Sequence, residues 1–261
     1  MNIKAIVKVM NFHALLRVDR AHREADQYQM LEREVARMVD IIQNNRNFIL
    51  DRWVLQPKEG APRMRIYIGS DLGFCGAVNA SVNSVLEKES PENTAIVIGR
   101  KLRRHPAVVL SVTRDEFETR YPEIEAYLAE AVRKRKYSGI DIIYDHYYNM
   151  SRIELAEKVI FPVEFERSTE ETYKEDFSVE GGDVNELMEE LLITYLNYEV
   201  KSAAVNAFAS ENILRQNATN ESLKRIDEME ERALWAERKG RNLVAARRVI
   251  DSYTKMKYRV E

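Results

Sequence analysis

Residues 183–261 run without a proline and with Gly240 as their lone glycine, and no other feature narrows the possible folds so far. Apolar residues recur there at three- and four-residue steps, through Leu187, Leu191, Val200, Val205, Phe208 and Leu223, the spacing of one helix face. At roughly 1.5 Å per residue such a helix would reach on the order of 110 Å, several times the width of a small domain. Most of it is expected to project from whatever compact body the chain forms.

Propensity alone does not hold a lone amphipathic helix together in water, so a partner is required. Residues 3–48 supply one. They too lack proline and glycine, and Val7, Met10, Ala14, Ala21, Tyr28, Leu31, Val35, Met38 and Ile42 follow a heptad spacing. The two ends of the chain therefore read as two strands of an antiparallel coiled coil. A helical bundle is the alternative, although bundle helices are rarely this long.

The middle of the chain has a different rhythm. A short apolar run at 64–69 leads into Ser70-Asp71-Leu72-Gly73-Phe74-Cys75-Gly76 and then a helical pattern through Val78, Val82 and Leu86. A strand, a glycine-rich turn and a helix open a β-α-β unit. Further strands are predicted at 95–98, 108–112, 140–148 and 158–165, with a helix at 124–134. Pro162 places the last strand near an edge or an end. The expected division is a shaft helix at 1–55, a Rossmann-like α/β domain at 63–165, an acidic connecting loop at 166–183 and a second shaft helix at 184–261. Asp183, with Glu186 three residues on, has the pattern of a capping box.

Composition limits the partners. A net charge of −3 argues against nucleic acid as the main one. The lone cysteine, Cys75, rules out an internal disulfide framework. No apolar run is long enough to span a membrane, so membrane association would pass through another protein.

Candidate chemistry is sparse. Gly69, Gly73 and Gly76 after a strand invite a phosphate-binding reading. Their spacing fits neither a dinucleotide fingerprint nor a Walker loop, no lysine follows, and Asp71 would repel an anion. A tight turn whose glycines allow close packing, with Asp71, Gly73 and Gly76 as its structural residues, is the preferred reading. Cys75 at a helix start could be reactive, but a buried, inert thiol fits better without a histidine placed beside it, and sequence brings neither His105 nor His146 there. His13 and His22 read as helix-surface residues, and Asp141 and Asp145 lack a metal-ligand set. No catalytic, cofactor or metal residue is assigned.

Three stretches carry a family resemblance. Ser70-Asp71-Leu72-Gly73-Phe74-Cys75-Gly76-Ala77-Val78-Asn79 resembles S-D-R-G-L-C-G-x-x-N of the gamma subunits of rotary ATP synthases. Tyr195-Leu196, then Ala209-Ser210-Glu211 and Arg215, is similar to that family's Y-L and A-S-E-x-x-x-R. Ile6 to Met10, with Arg17, Arg20 and Ala21, resembles its I-T-K-A-M and the basic helix after it, and Gly99-Arg100-Lys101 its G-x-K. The sequence departs where Gln216 and Thr219 replace methionines, where Arg241-Asn242 stands for arginine-glutamine, and at Ala246 and Arg248. The family's residues ahead of I-T-K-A-M and its glycine-containing tail lack counterparts, which points to a specialised member.

The resemblance implies a non-catalytic central shaft inside a ring of alpha and beta subunits. Its α/β domain would lie beside an epsilon subunit and above a membrane ring of c subunits, peripheral to a bacterial plasma membrane on the cytoplasmic side. Ion-driven rotation, by protons or sodium, would press the shaft against successive beta subunits. Lys8, Met10, Arg17, Arg20, Arg241 and Asn242 are the implied partner contacts. A coiled-coil scaffold or adaptor outside a rotary ATPase stays open.

Overall fold

The computed structural model describes residues 3–44, 56–73, 75–149, 152–163 and 183–257. The order of elements is α1 (Ile3–Asn44), β1 (Arg63–Ile68), α2 (Gly76–Leu86), β2 (Thr94–Ile98), β3 (Val108–Val112), α3 (Phe117–Arg133), β4 (Gly139–Asn149), β5 (Arg152–Phe161) and α4 (Val184–Lys257). Long terminal helices that pack together and a central α/β domain are both present. The loop expected at 166–183 lies outside the described residues except for Asp183. That aspartate caps α4, its Oδ1 accepting the Asn185 N–H at 2.9 Å.

Five strands form one sheet in the order β3-β2-β1-β4-β5, parallel except for the antiparallel pairing of β4 with β5. Alternation along each strand sorts its residues between two cores. Met64, Ile66 and Ile68 of β1, with Ile96, Ile98, Ile140 and Ile142, join α3, the end of α1 and the first half of α4. Tyr67, Ala95, Val97 and Ile143 face Val82 and Leu86 of α2 on the other side.

Two boundaries differ from expectation. α3 begins at Phe117, ahead of Pro122, rather than at 124. Glu116 accepts the Thr113 N–H at 3.1 Å and its hydroxyl at 2.8 Å, which closes the turn leading into the helix, and tertiary packing of Phe117 and Tyr121 carries the helix through the proline. β5 begins at Arg152 and ends at Phe161 rather than running 158–165. It is the edge strand, and its first eight residues include none that is buried and alternate charged with apolar ones, which weakens the apolar signature of a strand.

The chain divides into two compact units. One is Ala14–Arg215, the other Met1–His13 with Gln216–Glu261. Within the first, α1 buries Ala14, Val18, Ala21, Val35, Val39 and Ile42, steps of four and three residues, and Ala21 meets Val205 and Ala209 of α4. Leu31 and Met38, expected in this seam, are instead exposed. The second seam position falls four residues after the first rather than three, which selects Val18 and Val39 over the larger side chains.

Candidate functional site

In doubly wound sheets the carboxyl ends of the parallel strands are where ligands bind. Here the loops leaving β1, β2 and β3 are tied to one another instead. Gly69 donates to Ile98 O at 2.8 Å, Gly99 to Val112 O at 2.9 Å and Lys101 to Ser70 O at 3.1 Å. The Asp71 carboxylate accepts the N–H of Arg100 at 2.5 Å and that of Arg114 at 3.0 Å. Asn79 closes the turn, accepting the Ser70 N–H at 3.0 Å and donating to its hydroxyl at 2.7 Å.

Of the three glycines expected to allow close packing, Gly69 does so, and its partner Gly99 was not among them. A Cβ at Gly73 or Gly76 would meet none of the described residues within 4 Å. Gly99, by contrast, has φ +123° and a Cβ there would lie 2.8 Å from the Gly69 carbonyl carbon. Close backbone approach is thus a property of Gly69 and Gly99.

α4 seats the turn. The Glu211 carboxylate, 2% exposed, accepts the Leu72 N–H at 3.0 Å, so a protein carboxylate occupies a turn amide that an anionic ligand would need. The Glu211 carbonyl accepts from Cys75 Sγ at 3.3 Å, and Ser210 Oγ donates to Asp145 O at 2.7 Å. The Arg114 guanidinium lies 3.4 Å over the Phe208 ring and donates to Ala204 O at 3.3 Å. Further along α4, Tyr121 Oη donates to Asn197 O at 2.9 Å and Lys158 Nζ lies 2.6 Å from the buried Glu199 carboxylate. Burial pushes the Glu211 carboxyl up, with the Leu72 N–H, Arg114 and Arg215 opposing it. Burial draws Arg114 down to about 10, against the pull of Glu211, which leaves it charged at neutral pH. The Cys75 thiol is pushed up to about 12 by burial and then by Glu211, so it is a buried thiol rather than a nucleophile.

The implied contact residues are dispersed. Lys8 is exposed and Met10 half-buried in one unit, whereas Arg17 and Arg20 are exposed in the other, Arg20 pairing with Glu24 at 2.8 Å. Arg241 is exposed and pairs with Glu237, and Asn242 is exposed beside it. Near the start of α1, Lys4 Nζ lies 2.6 Å from both Asp227 and Glu230, and Asn11 Nδ2 donates to Thr219 Oγ1 at 2.9 Å. Beyond them α4 changes character. Every residue at 231–252 is exposed, including Leu234, Trp235, Leu243, Val244 and Val249.

The turn seated on a long helix is matched by sequence comparison, in which a family model described as ATP synthase aligns with residues 1–241. The chain belongs to the ATP synthase family. Its relatives there include the ATP synthase gamma chain of Clostridium perfringens, 23% identical over 244 residues that cover 87% of this chain and 83% of the relative. The gamma chain of Clostridium botulinum is 27% identical over 235 residues, covering 84% and 80%. In fold the chain is similar to a chain of the central stalk and c-ring of the Tetrahymena thermophila mitochondrial ATP synthase, with a TM-score of 0.54 and 16% identity over 83% of this chain and 99% of that one. It is a divergent homologue of the gamma subunit, with the family's non-catalytic shaft role. Among the described residues no helix is long and apolar enough to cross a membrane.

Proposed function

We propose that this gamma-type chain couples ion-driven rotation of a membrane ring of c subunits to conformational change in the catalytic beta subunits of an alpha–beta ring. Its α/β domain, the segment at 63–165, sits beside an epsilon subunit at the cytoplasmic face of a bacterial plasma membrane.

One observation carries the reading. Met229, Leu234, Trp235, Val244 and Val249 are each more than half exposed. At about 100° per residue they fall at roughly 0, 140, 240, 60 and 200° around the helix, so apolar surface faces every direction. A single docking groove would cover one side of such a helix. A sleeve of partners covers all of it, and an apolar shaft turns in a sleeve without stripping water from charges.

Charge adds to the fit. At 231–252, Arg232, Arg238, Lys239, Arg241, Arg247 and Arg248 outnumber Glu231, Glu237 and Asp251, in a chain whose net charge is −3. Acidic loops on the sleeve would feel a field that varies with the shaft's angle. Lys8, Met10, Arg17, Arg20, Arg241 and Asn242 are the contacts proposed to bias each beta subunit between open and closed states, a difference in binding energy between conformations.

Purification from the native source tests the proposal. Co-isolation with nucleotide-binding ring subunits, lost when Trp235 and Leu243 are both replaced by aspartate, is the expected result. Isolation with other proteins and no such ring would replace the shaft by an adaptor.

A further inference from the structure

A shaft that delivers torque must not twist loose from the body that drives it. Within the unit Ala14–Arg215, α4 is bonded to the α/β domain at several points, most of which reach one strand or one helix. Asn197 takes the Tyr121 hydroxyl of α3, and Glu199 takes Lys158 of β5. Glu211 differs. Its carboxylate holds the Leu72 N–H at 3.0 Å, and the residue before Leu72 is Asp71, whose two carboxylate oxygens hold the N–H groups of Arg100 and Arg114. Arg114 in turn lies over Phe208 one helical turn back along α4. The loops leaving β1, β2 and β3 are thereby closed into one ring of bonds that begins and ends on α4.

We propose that Glu211 is a positioning residue for torque transfer, fixing the angle of the α/β domain about α4 through the Leu72 amide. This rests on the shaft reading for its purpose, though not for its geometry. The geometry gives the carboxylate two separable properties, an acceptor for the amide and a charge facing Arg114. Glu211→Gln keeps the first and loses the second, whereas Glu211→Ala loses both.

Two measurements test the proposal. On the isolated chain, hydrogen exchange at the Leu72 amide should accelerate about tenfold or more in Glu211→Ala, the consequence of losing the amide's acceptor, and stay near wild type in Glu211→Gln. In the assembled, stalled complex, a reporter on Val109→Cys, an exposed position that labels while Cys75 stays buried, reads the angular spread of the α/β domain. Glu211→Ala should lose the wild-type width and Glu211→Gln should retain it. Tyr121→Phe, which removes a bond that reaches only α3, is the matched control and should leave the width unchanged. An unaltered Leu72 exchange rate, or a Glu211→Gln spread as broad as that of any alanine variant obtained, overturns the proposal. Equal broadening by Tyr121→Phe overturns it as well, since any lost bond would then do the same. Failure to assemble with ring subunits would strike the shaft reading instead, and the exchange arm would still score the clamp.

Discussion

One helix, α4, behaves as two different materials. From 191 to 211 no position is exposed, and its polar groups at Asn197, Glu199, Asn206, Ser210 and Glu211 each have a partner in the α/β domain. From 231 to 252 every position is exposed and the apolar ones point all round. Burial with satisfied polar groups gives rigidity and a single orientation. Exposed apolar surface on all sides gives a bearing that acquires its cover from other chains. Helix propensity is similar in both halves, so what separates them is the distribution of apolar residues around the axis.

The largest expected contrast comes from equivalent truncations in the two halves. Leu196 is 0% exposed in the main core, and Leu196→Ala should cost about 2–5 kcal/mol in the isolated chain through lost burial and the cavity left behind. Leu243 is 60% exposed, and Leu243→Ala should move that stability by no more than about 0.5 kcal/mol while weakening co-isolation with partner subunits. Denaturant midpoints measure the first quantity and pull-down yield the second. Equal stability losses would break the comparison.

A second contrast lies in pH. Asp145 of β4 is 4% exposed, with both carboxylate oxygens 3.2 Å from Ser81 Oγ. Burial raises its pKa from 3.8 to about 6. A raised carboxyl pKa means that the native state binds a proton the unfolded chain does not, so this contribution is fully present below 3.8 and is lost as pH rises through 6. It amounts to up to about 3 kcal/mol. Wild type minus Asp145→Asn, compared by urea unfolding at pH 4.5 and pH 7.5, should show that extra stability at the lower pH alone. A pH-independent difference would remove Asp145 as its source.

Asp71 gives the third test, within the seated half. Asp71→Ala strands the N–H groups of Arg100 and Arg114 and should cost about 1–3 kcal/mol, with Asp71→Asn losing less because one acceptor survives. Thermal unfolding of the two variants side by side checks the order, and an alanine variant as stable as wild type would show that water replaces the carboxylate.

How much of this could be read beforehand depends on how local each signal is. β3 was legible to the residue, because its apolar run is bounded by turns on both sides. Pro122 masked the start of α3, although Thr113 and Glu116 close a turn immediately ahead of Phe117. In α1 the heptad spacing is visible, yet a three-residue step places Leu31 and Met38 in the seam where the structure takes a four-residue step to Val39. The turn and the Ala209-Ser210-Glu211 stretch stood out through family resemblance, but their meeting did not. Leu72 and Glu211 are 139 residues apart, and no periodicity encodes a contact of that kind. Arg114 carried no motif at all, and its role follows from burial over Phe208.

The smallest effect is expected at the exposed end of the comparison. Arg241 is 74% exposed at its side chain and pairs with Glu237 one turn back, an arrangement that contributes little to a helix already formed. Replacing Arg241 and Asn242 together by alanine should therefore leave the isolated chain's unfolding midpoint within error. In the assembled complex the same double variant should lower torque or the ions moved per ATP without preventing assembly, because one charge among Arg238, Lys239, Arg247 and Arg248 is a fraction of the field. Raising ionic strength should shrink the difference between variant and wild type if the contact is electrostatic, since exposed charges are screened over about 8–10 Å at physiological salt. A difference that persists at high salt would assign the contact to shape and apolar packing, and so to Trp235 and Leu243 rather than to the basic residues.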